Sequence, residues 1–276
     1  MNSAKRLWRV TGAAVLVSTV VCAVGFGYAI KEIMFPAPIT GTETSVPGGA
    51  AAKPVEENWA AKRQIRIVAL GDSLSAGTGD LSGRGYVGQV KEKLQEQLGK
   101  PVFVYNNFAI PGFRTYDLLK DWDAKKDIDK SLSEADLVLF TIGGNDLFEG
   151  GQDLFTNPQT GEGFNPQAAA QRLPEAVKRL EQVMDRVAKA APKAKIMYVG
   201  LYHPFLDLDP KREGSPLVQR WNTAAFEIAN KYPNITVVPT FDLFELNLNK
   251  YLYTDHFHPN QDGYERIAGR IADILK

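Results

Sequence analysis

Apolar and polar positions along this chain fall into three regimes. From Val10 to Ile30 run 21 residues without a charge, preceded by Lys5, Arg6 and Arg9. A helix needs about 20 such residues to cross a hydrocarbon core of ~30 Å, and it satisfies its own backbone while doing so. The cationic flank favours an inside N-terminus, which would leave the rest of the chain outside. A cleaved signal peptide is the competing reading, although its apolar region usually runs only ~7–15 residues. Residues 1–31 are therefore expected to be a membrane anchor, through residues 10–30, or a signal segment. Residues 32–60 carry Pro36, Pro38, Pro47, Gly48, Gly49 and Pro54 with almost no apolar periodicity, as a flexible linker does.

From 61 to 276, short apolar runs alternate with amphipathic helices. The strand candidates are Ile65–Leu70, Val102–Asn106, Leu137–Ile142, Ile196–Leu201 and Ile235–Pro239. Several are continuously apolar, as buried parallel strands are. A helix is expected over Pro174–Ala190, where Leu173, Val177, Leu180, Met184 and Val187 step by three or four residues onto one face. Tyr86, Val87, Val90, Leu94 and Leu98 do the same earlier in the chain. This alternation predicts one domain, a three-layer α/β/α sandwich with a five-stranded parallel sheet. Its ligand site would lie beyond the carboxyl ends of the strands.

Composition narrows the function classes. The net charge is zero, but residues 1–31 hold four basic side chains and no acid, leaving 28 basic against 32 acidic in the remainder. A mildly acidic body without a basic run gives no footprint for nucleic acid. Cys22 is the only cysteine, so the body has no disulfide and no thiolate metal ligand. The stretch Gly83 to Gly88 fits G-x-G-x-x-G, yet a loop separates it from the first strand, whereas the dinucleotide fingerprint follows its strand directly. Neither an H-E-x-x-H pattern nor a phosphate loop occurs. Oligomeric state is not legible.

Four short blocks carry candidate chemistry. Gly71-Asp72-Ser73-Leu74-Ser75 follows the first strand and reads either as a helix cap or as a serine aimed into the site. Ala109-Ile110-Pro111-Gly112-Phe113 follows the second and reads as a tight turn or as an exposed N–H for an oxyanion. Gly143-Gly144-Asn145-Asp146 follows the third, with glycines permitting close approach and Asn145 able to offer its amide N–H groups. In Asp255-His256-Phe257-His258-Pro259, an aspartate three residues before a histidine reaches the imidazole within one turn of loop. It would fix the tautomer and leave Nε2 as base, the alternative being a solvated cap. Of the other two histidines, His203 is expected in a structural loop near the pocket rim and His256 as an exposed loop residue.

In this order, the four blocks resemble those of the SGNH hydrolase superfamily, the GDSL-type lipases and esterases, over about residues 65–274. The resemblance implies a flavodoxin-like sheet and ester hydrolysis with neither metal nor cofactor. It implies Ser73 as nucleophile, His258 as base and Asp255 as its orienting carboxylate. Ser73, Gly112 and Asn145 would form the oxyanion hole. The expected substrate is a carboxylic ester, of a lipid or another acylated molecule, met outside the cytoplasmic membrane. Removal or transfer of O-acetyl groups on polysaccharide, and a non-catalytic binding module with this fold, remain open alternatives. The connection from Asp146 to about Pro166 is expected to be a long loop whose Phe148 and Phe155 shape an acyl pocket for short to medium chains.

Overall fold

The strands are β1 (Ile65–Gly71), β2 (Val102–Asn107), β3 (Leu137–Thr141), the short pair β4 (Phe155–Asn157) and β5 (Glu162–Phe164), β6 (Lys195–Val199) and β7 (Ile235–Val238). Five of them form one sheet in the order β2-β1-β3-β6-β7, every neighbouring pair parallel, while β4 and β5 pair antiparallel. The helices are α1 (Asn2–Met34), α2 (Ser73–Ala76), α3 (Gly85–Leu98), α4 (Thr115–Ala124), α5 (Asp127–Ser133) and α6 (Gly144–Phe148). They continue with α7 (Gln167–Ala190), α8 (Gly214–Ala229), α9 (Phe241–Glu245), α10 (Leu248–Tyr251) and α11 (Gln261–Ile274). This computed structural model describes residues 2–34, 59–149, 155–157 and 162–276, without side chains at 2–7, 10, 11, 14, 29, 30, 32–34, 155–157 and 162–164.

Alternate side chains of a strand point to opposite faces, and each face here has its own helical layer. Val68, Val138, Phe140 and Tyr198 pack against α4, α5, α7 and α8, with Trp122, Leu132, Met184 and Trp221 buried among them. Ile67, Leu139 and Met197 face α3 and α11 through Tyr86, Val90, Tyr264 and Ile267. The result is the expected three-layer sandwich. Because β2 and β3 flank β1 on opposite sides, the loops leaving β1 and β3 diverge and open a crevice at their carboxyl ends.

Three expectations need correction. β2 is the sheet edge, not a buried strand: Phe103 and Tyr105 are 47% and 53% exposed. Helix α7 begins at Gln167, ahead of the expected start, and carries Pro174 inside it. Proline often opens a helix, but here it sits on the exposed side of one already begun. The connection after Asp146 is not one long loop, since α6 continues to Phe148 and β4 and β5 form further along. The Phe155 side chain lies outside the described residues.

At the N-terminus, α1 and the body belong to separate compact units. Among the described residues, no helix is long and apolar enough to cross a membrane; the side chains of Val10, Thr11, Ala14, Ala29 and Ile30 lie outside the description. Most of the expected linker, residues 35–58, also lies outside it. Its final turn does not, and Trp59 is buried against the body. Lys100 Nζ donates to the carbonyls of Trp59, Ala60 and Lys62 at 2.8–3.1 Å, pinning that turn.

Candidate active site

The chain leaves β1 and turns at once into α2. Asp72 caps that helix, its Oδ1 accepting the Leu74 N–H at 3.1 Å. Ser73 is thereby placed on the first helical turn, where backbone N–H groups have no partner within the helix. The Asp72 carboxylate also accepts the Thr141 hydroxyl at 2.6 Å. Thr141 is joined in turn to Ser75 and Ser75 to Tyr86, at 2.8 and 2.7 Å. Burial pushes the Asp72 carboxyl up to about 6, although the Thr141 and Leu74 bonds oppose it.

The loop before α11 brings a histidine to this serine. Tyr253 N–H donates to the His258 carbonyl at 2.8 Å and His256 N–H to the Tyr253 carbonyl at 3.1 Å, folding 253–258 back on itself. Asp255 Oδ1 accepts the backbone N–H groups of Phe257 and His258, both at 3.0 Å. Its other oxygen meets His258 Nδ1 at 2.7 Å. His258 Nε2 lies 2.8 Å from Ser73 Oγ. With the proton on Nδ1 directed at Asp255, Nε2 is free to accept from the Ser73 hydroxyl. Burial alone would raise the Asp255 carboxyl, but the bonds from His258 and Phe257 outweigh it and hold the group below the usual aspartate range.

Two further loops border Ser73. Phe113 N–H donates to the Ile110 carbonyl at 3.2 Å, and Gly112 has φ +84°. With Pro111 and Gly112 at the central positions this is a type II turn, which needs a positive φ at its third residue. The turn's own hydrogen bond does not use the exposed Gly112 N–H. After β3, Gly143 has φ +115° and lies so close to Trp221 that a Cβ there would overlap the indole. Asn145 then donates one amide N–H to the Phe113 carbonyl at 3.0 Å, leaving the second for a ligand. Asp146, buried beside it, accepts the Thr115 N–H and hydroxyl at 2.8 and 2.5 Å. Arg179 completes the knot, reaching Thr115 Oγ1 at 3.0 Å and Asp146 at 3.4 Å. Burial raises the Asp146 carboxyl despite these donors.

Between these loops lies a cavity lined by Asp72, Ser73, Thr141 and Asn145 together with the rings of Phe148 and Phe257. Gly112 does not line it. The other histidines stand apart. His256 is exposed, with φ +55°. His203 is buried, and its Nε2 meets Asp209 Oδ2 at 3.0 Å; Asp209 also accepts the Gly214 N–H at the start of α8. Burial depresses the His203 imidazole against the pull of Asp209. Its ring stacks on that of Phe148, with centroids 6.1 Å apart. Among the described residues, no group of three or more His, Cys, Asp or Glu side chains could hold a metal ion.

Sequence reasoning passed over Asp146, Thr115 and Arg179, and it took Asp72 as no more than a cap. The available signal was an acidic residue directly beside two of the site residues, Asp72 before Ser73 and Asp146 after Asn145.

A parallel sheet in this order between two helical layers, with Ser73, His258 and Asp255 hydrogen-bonded in series at its carboxyl edge, is the arrangement of the SGNH hydrolase superfamily. Residues 69–266 match the GDSL-like lipase/acylhydrolase family, and the chain belongs to it as a carboxylic-ester hydrolase. It is 32% identical to the uncharacterized protein YpmR of Bacillus subtilis, over 84% of this chain and 90% of that protein. Identity to the spore germination lipase LipC of Bacillus licheniformis is 25%, over 75% and 94% of the two chains. The crystal structure of the lipase Lip_vut3 from a goat rumen metagenome shares the fold with a TM-score of 0.61 and 23% identity, covering 76% of this chain and 96% of that one.

Proposed function

We propose that Ser73, His258 and Asp255 form the catalytic triad of this ester hydrolase and that Ser73, Gly112 and Asn145 supply its oxyanion hole. The observation that carries the reading is the unbroken series from Asp255 Oδ2 through His258 to Ser73 Oγ, at 2.7 and 2.8 Å. A serine hydroxyl is a weak nucleophile until a base removes its proton. Ser73 Oγ attacks the acyl carbon as His258 Nε2 takes that proton, and Asp255 stabilises the imidazolium. The carbonyl oxygen, now an anion, accepts from the Ser73 and Gly112 N–H groups and the free Asn145 amide N–H. Collapse breaks the bond to the alcohol, which leaves with the proton from His258. Water then attacks the acyl-serine with His258 again as base, releasing the carboxylic acid and restoring Ser73.

Release of nitrophenol from 4-nitrophenyl acetate by the full chain tests the reading. The wild type turns the ester over, and Ser73→Ala falls by about 10³-fold or more. Equal turnover by the two proteins would contradict the assignment.

We also propose that α1 anchors the protein in the cytoplasmic membrane with the hydrolase body outside. The charge-free run behind three basic residues supports this, as does the exposure of Leu16, Val20 and Phe26 along α1. Sedimentation of the intact chain with membranes would agree with it. A mature protein beginning just after the apolar run would indicate a cleaved signal.

A further inference from the structure

One threonine holds the chain on both sides of Ser73. At the end of β3, Thr141 accepts the Asp72 N–H on its carbonyl at 3.1 Å, and its hydroxyl meets the Asp72 carboxylate at 2.6 Å. Beyond Ser73, the same hydroxyl oxygen accepts the Ser75 N–H at 3.2 Å and lies 2.8 Å from Ser75 Oγ. Gly71 permits this close approach: it has φ +119°, and a Cβ there would overlap the Thr141 carbonyl. Ser75 is gripped further by the Tyr86 hydroxyl at 2.7 Å and by Asn107, whose side-chain N–H donates to its carbonyl at 2.8 Å.

Proton counting fixes the direction of these bonds. A hydroxyl has one proton and two lone pairs, an ionised carboxylate only accepts, and an N–H only donates. Asp72, whose carboxyl titrates at about 6, is ionised at pH 8. The Thr141 proton then goes to Asp72, and Thr141 Oγ1 accepts both the N–H and the O–H of Ser75. With the Ser75 proton committed, the Tyr86 hydroxyl donates to Ser75 Oγ. The series Tyr86, Ser75, Thr141 therefore points every proton towards Asp72, and all four residues are buried.

The consequence for Ser73 lies in what these bonds leave over. In α2 the Leu74 N–H is taken by Asp72 and the Ser75 N–H by Thr141. The Ser73 N–H, at the first helical position, remains as that turn's donor to an oxyanion. Valine at 141 would keep the shape, but it would remove a donor from Asp72 and leave the Ser75 N–H buried without its acceptor.

We propose that Thr141 is a positioning residue for the nucleophile: its hydroxyl, held by Ser75 and Tyr86, fixes α2 so that Ser73 Oγ meets His258 and the Ser73 N–H faces the oxyanion. The proposal rests on Ser73 as nucleophile. Thr141 acts through α2 and takes no part in the bond making itself.

The test is hydrolysis of 4-nitrophenyl acetate by the full chain at pH 8. Thr141→Val should lower kcat and kcat/KM together by about tenfold or more, with KM within about twofold, because a displaced donor is felt in the transition state. Thr141→Ser, which restores the hydroxyl, should return to within about threefold of wild type. Tyr86→Phe, which removes only the last donor, should lose about threefold in kcat. It decides the case if Thr141→Val melts below the assay temperature, and an unchanged kcat there overturns the proposal. Equal losses in Thr141→Val and Thr141→Ser overturn it too, since the hydroxyl would then not be the cause. So does a raised KM at unchanged kcat, or a lower melting temperature with turnover per folded molecule intact. A wild type that releases no nitrophenol overturns the Ser73 reading, and the proposal with it.

Discussion

The carboxylate of Asp146 takes both hydrogen bonds that Thr115 can donate, at 2.8 Å from the backbone and 2.5 Å from the hydroxyl. Thr115 opens α4 directly after the Gly112 turn, and Asp146 follows Asn145. One buried side chain therefore ties together the two loops proposed to carry oxyanion donors.

Misplacing a preorganised donor costs rate more than binding. Asp146→Asn turns one acceptor into a donor facing Thr115, so it should lower kcat by about tenfold or more with KM within about twofold. Steady-state kinetics on protein of verified melting temperature checks this. A raised KM at unchanged kcat would mean that Asp146 shapes binding and not the oxyanion hole.

The three histidines should separate cleanly. His258→Ala should fall to the same floor as Ser73→Ala and as the double variant, because groups acting as a unit are not additive. His256→Ala should be within about twofold of wild type, the residue being exposed while Ser73 Oγ meets His258. His203→Ala should lose about 2 kcal/mol of stability, since it removes the buried partner of Asp209. Denaturant unfolding and turnover per folded molecule distinguish these outcomes. Equal damage to turnover from His256→Ala would displace His258 as the base.

Asp72 should leave a pH signature on stability. Its folded value, pushed up by burial from 3.8 to about 6, means that folding favours the protonated carboxyl. The contribution is full below pH 3.8 and is lost as pH rises through about 6. Asp72→Asn keeps an acceptor for Thr141 and removes the buried charge. It should raise stability at pH 8 by about 1–2 kcal/mol, with the gain vanishing by about pH 4. Denaturant midpoints across that range provide the measurement, and a gain independent of pH would contradict the assignment.

Four sheet strands were legible because each is a short, mostly apolar run, broken by Arg66 in β1 and Thr236 in β7, and β2 was legible as a strand but not as an edge. Its Phe103 and Tyr105 look like core residues until the pairing order is known. The β4 and β5 segments, three residues each, are too short for any period to register. In the site, Asp255 and His258 were readable because they share one turn of loop. Asp146 lies 31 residues from Thr115, and Asp72 lies 69 from Thr141. Those pairs exist only because the sheet brings the loops leaving β1, β2 and β3 together at one edge, which no local spacing encodes.

Covalent labelling of the full chain with a fluorophosphonate, followed by peptide mass mapping, tests the central claim most directly. The wild type should carry the adduct on Ser73 alone, Ser73→Ala should carry none, and His258→Ala should label at least about 100-fold more slowly. An adduct on another serine, or labelling at Ser73 that is indifferent to His258, would contradict the proposed mechanism.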